Sequence, residues 1–277
     1  MEKISDSDFD FLRGLSEEWM GSVFSPDKKY LFETRLINMA KEFGYTDIKS
    51  LITELKLKKD NLNKDKKEYF VDIITTHETL FFRDKSPFKN LRDHILPSIM
   101  ENGNPMKGIN IYSAACSTGQ EPVSMVMALC EGLSKEWLDK LSITATDISK
   151  MAVQYAQEGL YSQYEVQRGV PTRLLNSYFE QEGISWRFKE EYKKYINYRI
   201  ENLCKPDYKI RKFDIVFCRN ATIYMDPPKV RKIYEHFHQS MNTGGYIVIG
   251  HSERMSDHTD LFEYIKVDTG VIYKRVD

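Results

Sequence analysis

Residues Ile109 to Met127, INIYSAACSTGQEPVSMVM, decide the fold. INIYSAA reads as a buried β-strand. It breaks into a turn of small residues, CSTG, and restarts as a helix. Gln120 and Glu121 stand at the helix start, and Pro122 suits its first turn, where a missing N–H costs nothing. A strand, a small-residue turn and a helix N-terminus form the front of a nucleotide-type pocket in an open α/β sheet. Ala114, Ala115, Ser117 and Gly119 let a ligand approach the backbone closely. An ordinary βα turn also favours Gly and Ser, so this stretch alone leaves both readings open.

About one βα unit further on, LSITATDIS reads as a strand ending in Asp147. An acid at the tip of the second strand can accept both ribose hydroxyls of a bound nucleoside. Asp is also a favoured N-cap, so Asp147 could cap the helix starting near Ser149; the two roles are compatible. The spacing from Gly119 to Asp147 exceeds the usual ~20 residues. A longer first helix and the loop EGLSKEWLDK account for the surplus.

A chain of 277 residues, 41% hydrophobic and 29% charged, is long enough for one large or two modest globular domains. No apolar run approaches the ~18 residues needed to span a membrane, which argues against direct membrane insertion. The start, MEKISDSDFD, is too acidic and polar for a signal peptide. Cys116, Cys130, Cys204 and Cys218 are scattered, as in a reducing cytosol. A net charge of −1 argues against bulk nucleic-acid binding.

The first ~90 residues read as helical by period. DFDFLRGLSEEWM and KKYLFETRLINMAKEFG carry apolar residues at three- and four-residue spacing, and Gly44 ends the second helix. DIKSLITELK is a third helix. KLKKDNLNKDKKEY reads as a solvated inter-helix segment, and EYFVDIITT as a fourth helix leading into HETLFFRDKSPF. From Gly108 strands and helices alternate, as in a doubly wound sheet. The strand candidates are INIYSAA, SITATD, KYINYRIENL, FDIVFCRN, GGYIVIGH and a late VIYKRV. Between Gly159 and Lys194 the alternation lapses. There NSYFEQEGISWRFKEEY suggests a hairpin turning near Gly183. The expected organisation is a helical domain with linker over 1–88 and an α/β domain over 89–277, with a small antiparallel β insertion at about 160–194.

Taken together, THETLFFR, SAACSTGQEP, the TATDIS strand end and FCRNATIYM resemble, in this order, the chemotaxis receptor methyltransferases of the CheR family. The resemblance spans nearly the whole chain. It implies a Rossmann-like sheet that binds S-adenosylmethionine, leaves S-adenosylhomocysteine as product and needs no metal. It also implies methylation of glutamate side chains on the cytoplasmic methylation helices of chemoreceptors, by a cytoplasmic enzyme recruited to those membrane-bound receptors. By the same resemblance Thr79, Arg83, Glu121, Asp147, Asn202, Leu203, Arg219 and Asn220 belong to the cofactor site, and Arg83 and Tyr224 to the catalytic centre. Arg35 and Lys41, with Lys28 and Lys29 on or near the second helix, are candidates to meet the acidic receptor. Three positions depart from the family pattern. Gln120 stands where a second acid is common, His77 where Asn is frequent, and ATIYM replaces a more aliphatic run.

Some members bind a peptide at the receptor's C-terminus on the edge of the small insertion sheet. The EQEG turn here is short, so the expectation is methylation without a C-terminal pentapeptide tether. A glutamate is ionised near pH 7, so methyl transfer to it requires no general base. The site has to align oxygen, methyl carbon and sulfur and to exclude water. Arg83 suits a carboxylate clamp through its fork, and Tyr224 offers a hydroxyl and a flat wall. The histidines show no zinc spacing. A non-catalytic S-adenosylmethionine-binding scaffold, or methylation of another carboxylate, stands as the alternative; Arg83 and Tyr224 favour the enzyme.

Overall fold

The computed structural model describes residues 3–102, 106–206 and 212–277. Four helices come first: α1 Asp6–Met20, α2 Lys29–Glu42, α3 Ile48–Leu57 and α4 Lys64–Ile74. Ser5, Asp47 and Asn63 cap α1, α3 and α4 by accepting backbone N–H groups with their side chains. Apolar residues three or four apart, Phe9, Leu12 and Leu15 on α1 and Phe32, Leu36 and Met39 on α2, turn one face of each helix inward. These faces close a separate apolar core running from Ile4 to Ile74. Gly44, left-handed at φ 73°, ends the second helix as expected. The lysine-rich run is only partly a linker: α4 begins at Lys64, so its second half is the helix's exposed first turn.

The strands are β1 Ile109–Ala114, β2 Leu141–Asp147, β3 Leu160–Ser162, β4 Phe179–Glu182, β5 Ser185–Phe188, β6 Ile196–Ile200, β7 Phe213–Cys218, β8 Met241–Ile249, β9 Phe262–Val267 and β10 Gly270–Arg275. Seven form one sheet in the order β6-β2-β1-β7-β8-β10-β9. β6, β2, β1, β7 and β8 run parallel, whereas β10 is antiparallel to β8 and β9. β1 and β7 are buried almost throughout, as parallel strands with both faces covered must be. From β1 the chain steps to β2 and β6 on one side, and later to β7 and β8 on the other. Strand order therefore reverses beside β1, where open α/β sheets form their ligand crevice.

The fold is mixed α/β, with helices at the N-terminus and a second, small antiparallel sheet, β3-β5-β4. The hairpin turn falls at Gly183, φ 61°. Several elements escaped the sequence reading, among them β3 and the helices Lys135–Leu138 and Thr172–Tyr178. β9, also unread, lies at the sheet edge with three of its six residues exposed. The segment from Ser86 to Asn102 is helical, with a π-helical stretch at Leu91–Ile95. No helix among the described residues is long and apolar enough to cross a membrane.

Candidate active site

The cleft opens at the C-terminal ends of β1, β2 and β7, and its free volume is about 1040 Å³ counted out to the open mouth. One wall is built by the strand ends. Ala115 and Ser117 after β1 adopt left-handed backbone, φ 56° and 52°, and Gly119 follows at 91°. A Cβ on Gly119 would lie 2.7 Å from the Ala156 Cβ, so only glycine fits the turn. Asp147 is 5% exposed. Its Oδ2 accepts from the Ser117 N–H at 2.8 Å and its Oδ1 from the Ser149 N–H at 2.9 Å. Ser149, not Asp147, is the N-cap of the helix Lys150–Glu158. Burial raises the Asp147 pKa, while the Ser149 and Ser117 N–H groups pull it down.

Glu121 opens the helix Gln120–Cys130 and is buried. Its Oε1 accepts from Ser113 Oγ at 2.9 Å and its Oε2 from Arg219 Nη1 at 3.1 Å. Burial raises its pKa, and the Arg219 charge opposes the rise. Arg219 has a side chain only 2% exposed. Its Nη2 donates to the Arg83 carbonyl at 2.8 Å and to Asp84 Oδ2 at 2.7 Å. The linker it grips is strained: Phe82, Asp84 and Lys85 all have positive φ, at 50°, 66° and 45°.

The other wall comes from the helical region and the linker. Thr75, Thr76, Glu78, Thr79, Leu80 and Arg83 line it, with Met20, Ser22 and Phe24 from the α1–α2 connection. That connection forms a β-bridge from Ser22 to Met225, and the Val23 N–H donates to the Tyr224 carbonyl at 2.7 Å. Asn202 Nδ2 donates to the Trp19 carbonyl at 2.8 Å. Gly21 sits at this seam with φ 77°, and a Cβ there would collide with Cys204 Sγ. Arg83 Nη1 donates to the Glu78 carbonyl at 3.0 Å. Its guanidinium makes no ion pair within the described residues, because Asp84 is taken by Arg219. Tyr224 is 45% exposed at the mouth.

These residues fit a nucleoside cofactor that carries positive charge. A buried carboxylate stands at the second strand tip, and the β1 turn is small and open to backbone approach. Ser117 Oγ and Arg219 Nε are buried on cleft-lining residues and have no hydrogen-bond partner among the described residues. Buried acids whose ionised forms are disfavoured gain from a cation brought beside them.

The family described as "CheR methyltransferase, SAM binding domain" matches residues 77–271. The chain belongs to the CheR methyltransferase family. It is 37% identical over 275 residues, 98% of each chain, to "Chemotaxis protein methyltransferase 1" of Vibrio cholerae. It is 33% identical over 275 residues, again 98% of each, to a protein of the same name from Pseudomonas aeruginosa. Over 250 residues, 88% of this chain and 87% of the other, it is 32% identical to "Chemotaxis protein methyltransferase" of Borreliella burgdorferi.

Within this CheR-family cleft, Thr79, Arg83, Glu121, Asp147, Asn202, Leu203, Arg219, Asn220 and Tyr224 meet around one space. They approach it differently. Asn202 spends its amide on Trp19 and, through Oδ1, on the Cys204 N–H, so it joins the two walls. Asn220 adopts φ 57°, turning the chain after β7. Arg35 and Lys41 lie away from the cleft. Arg35 Nη1 donates to the Ile74 and Thr75 carbonyls at 2.7 and 3.3 Å, capping α4. Lys41 is exposed on the last turn of α2. His77, a family departure, bonds through Nε2 to the Asp72 carbonyl at 3.0 Å.

Three acids have roles that the sequence did not reveal. Asp84 grips Arg219. Glu253 Oε1 accepts from the Ala221 N–H at 2.9 Å and from Thr222 Oγ1 at 3.3 Å, holding the loop that carries Tyr224. Asp72 is buried at 7% exposure in the apolar helix EYFVDIITT. An acid on the apolar face of a helix was a readable signal, since Asp is almost never buried unless paired.

Proposed function

We propose that this chain transfers a methyl group from S-adenosylmethionine to glutamate side-chain carboxylates of chemoreceptors, forming methyl esters in chemotaxis adaptation. The observation that carries the reading is Arg83, a guanidinium with no carboxylate partner among the described residues, at the mouth of a cleft floored by Asp147. Bound S-adenosylmethionine supplies a methyl group activated by its sulfonium. The protein's own task is placement. Asp147 holds the ribose, and Glu121 and Arg219 shape the amino-acid end. Thr79, Asn202, Leu203 and Asn220 complete the cofactor's surround. Arg83 holds a carboxylate by its fork, and Tyr224 forms a wall beside the transferred methyl. The substrate glutamate is already anionic near pH 7, so no residue has to take a proton from it. Walls that exclude water keep the opposite charges of the reactants from being solvated apart.

The helical unit and linker, 1–88, face the receptor through Lys41 and the neighbouring basic residues, Arg35 serving with its exposed part. Residues 89–277 perform the transfer, and the β insertion at 160–194 acts without a C-terminal tether, a reading supported by its short turn. The enzyme works in the cytoplasm, recruited to receptors. The names of the relatives weigh against a scaffold without catalysis. Incubation with methyl-labelled S-adenosylmethionine and receptor-bearing membranes tests the reaction. Label on the receptor that mild base releases as methanol is expected; base-stable label excludes a glutamyl ester.

A further inference from the structure

The helix Lys150–Glu158 follows Asp147 directly, and its N-terminus is docked on α4. Asp72 of α4 points its Oδ1 at that terminus, accepting from Ser149 Oγ at 2.7 Å and from the Met151 N–H at 3.2 Å. A carboxylate there satisfies orphan N–H donors and complements the helix dipole. Ser149 is fully buried and stands between two buried acids. Its hydroxyl faces Asp72, while its own N–H holds Asp147 Oδ1. The same hydroxyl accepts from the Ala152 N–H at 3.1 Å, so Ser149 has one available orientation. Ile148 packs against the helical region's core, and Lys150 pairs with Glu68 of α4 at 3.0 Å.

From this we infer that Asp72 is a positioning residue of the cofactor site: the helical unit, through Asp72 and Ser149, sets the direction in which Asp147 presents its carboxylate to the ribose. The inference rests on Asp147 being the ribose acid. The link continues away from the cleft, since Arg35 of α2 fastens the end of the helix that carries Asp72. The cofactor pocket is therefore incomplete in the α/β unit alone. A buried hydrogen bond to a charged group is strong enough for its loss to be read as a tenfold change in binding.

Titration calorimetry of S-adenosylhomocysteine into the full chain reads the effect without any catalysis. Asp72→Ala should bind about tenfold more weakly. Asp72→Asn, which keeps an acceptor oxygen, should recover most of that loss. Glu68→Ala, which breaks a different contact between the same two helices, should stay within about twofold, so that general loosening is told apart from positioning. Combining Asp72→Ala with Ser149→Ala should cost less than the sum of the two single losses, because both remove the same hydrogen bond. Native affinity in Asp72→Ala while Asp147→Ala is weakened overturns the inference, as does an asparagine variant as weak as the alanine one. A Glu68→Ala loss equal to that of Asp72→Ala overturns it too, and so does full additivity with Ser149→Ala. Should Asp72→Ala not fold, Ser149→Ala carries the test, and native affinity there is equally fatal. Native affinity in Asp147→Ala instead overturns the cofactor reading beneath it.

Discussion

The two walls of the cleft are built by opposite means. The sheet wall is made of strand ends, and part of its bonding is short in sequence, Glu121 with Ser113 and Asp147 with Ser149, while Arg219 reaches Glu121 from the end of β7. The helical wall is held by contacts that join distant parts of the chain, Trp19 with Asn202 and Val23 with Tyr224. The sheet wall buries its acids, which raises their pKa values; the helical wall carries Arg83, which has no ion-pair partner among the described residues. A rigid, acid-bearing floor facing a cationic, seam-joined rim suits a positively charged cofactor below and an anionic substrate above. Floor and rim should therefore fail differently when they are cut.

The rim should give the largest loss. Arg83→Ala is expected to lower methyl transfer by about a hundredfold or more, the scale of removing one preorganised donor in an enzyme site, with circular dichroism unchanged. Arg83→Lys should also be poor, because lysine lacks the fork. Near-normal turnover on receptor membranes in either variant would remove Arg83 from the reaction. A cut in the floor should instead show in binding: Asp147→Ala should weaken S-adenosylhomocysteine by about 1–3 kcal/mol in calorimetry. Unchanged affinity in that folded variant would break the distinction between floor and rim.

The seam between the walls can be cut without touching either. Gly21→Ala forces a side chain into left-handed backbone, at ~1–2 kcal/mol, and drives it against Cys204. A lowered melting temperature is expected, with faster hydrogen exchange at the Val23 amide, which donates to the Tyr224 carbonyl across the seam. Exchange unaltered at that amide would mean that the seam is not what joins the helical region to the loop that carries Tyr224. A smaller effect is expected on the outer face of α2, where Lys41→Glu should raise KM for receptor a few-fold and leave KM for S-adenosylmethionine unchanged. The difference should shrink at high salt, because exposed charges are screened. Equal receptor kinetics for the two proteins would reject α2 as the receptor-facing helix.

The smallest effect separates the regions by pH. In the helical region Glu54 is drawn down to about 2, chiefly by the Tyr45 hydroxyl and then by Lys66. A depressed carboxylate stabilises the fold above its unfolded pKa, and that contribution fades as pH falls from about 4.5 to about 2. Glu121 and Asp147 have the opposite sign. Their raised values favour the folded state when they are protonated, a contribution lost as pH climbs through their folded pKa values. Glu54→Gln should flatten the acid limb of melting temperature against pH. An acid limb as steep as the native one would show that Glu54 takes no part in it.

The floor of the cleft was legible in the sequence because its information is local. INIYSAA, the CSTG turn and QEP name a strand, a small-residue turn and a helix start within fourteen residues, and backbone sterics leave such a run few conformations. Asp147 at the end of SITATD follows from the same alternation. The helical period, the α4 region and the Gly183 hairpin were readable for that reason as well. β9 was missed because an edge strand with one face exposed carries a weaker apolar signal than the buried β1 or β7.

What the tertiary structure alone decided are the partnerships between residues far apart in the chain. The sequence sets Asp84 beside Arg83, yet Asp84 pairs with Arg219, and Arg83 meets no acid among the described residues. It sets Arg35 on a basic helix, yet the guanidinium fastens the end of α4. It hides Asp72 in an apolar helix, where the fold sets it beside Ser149 and, through Ser149, Asp147. Periodicity and turn chemistry act over a few residues, so they fix elements and their ends. Which buried charge meets which is decided by docking those elements, since a buried polar group must find its partner wherever the packed chain brings one.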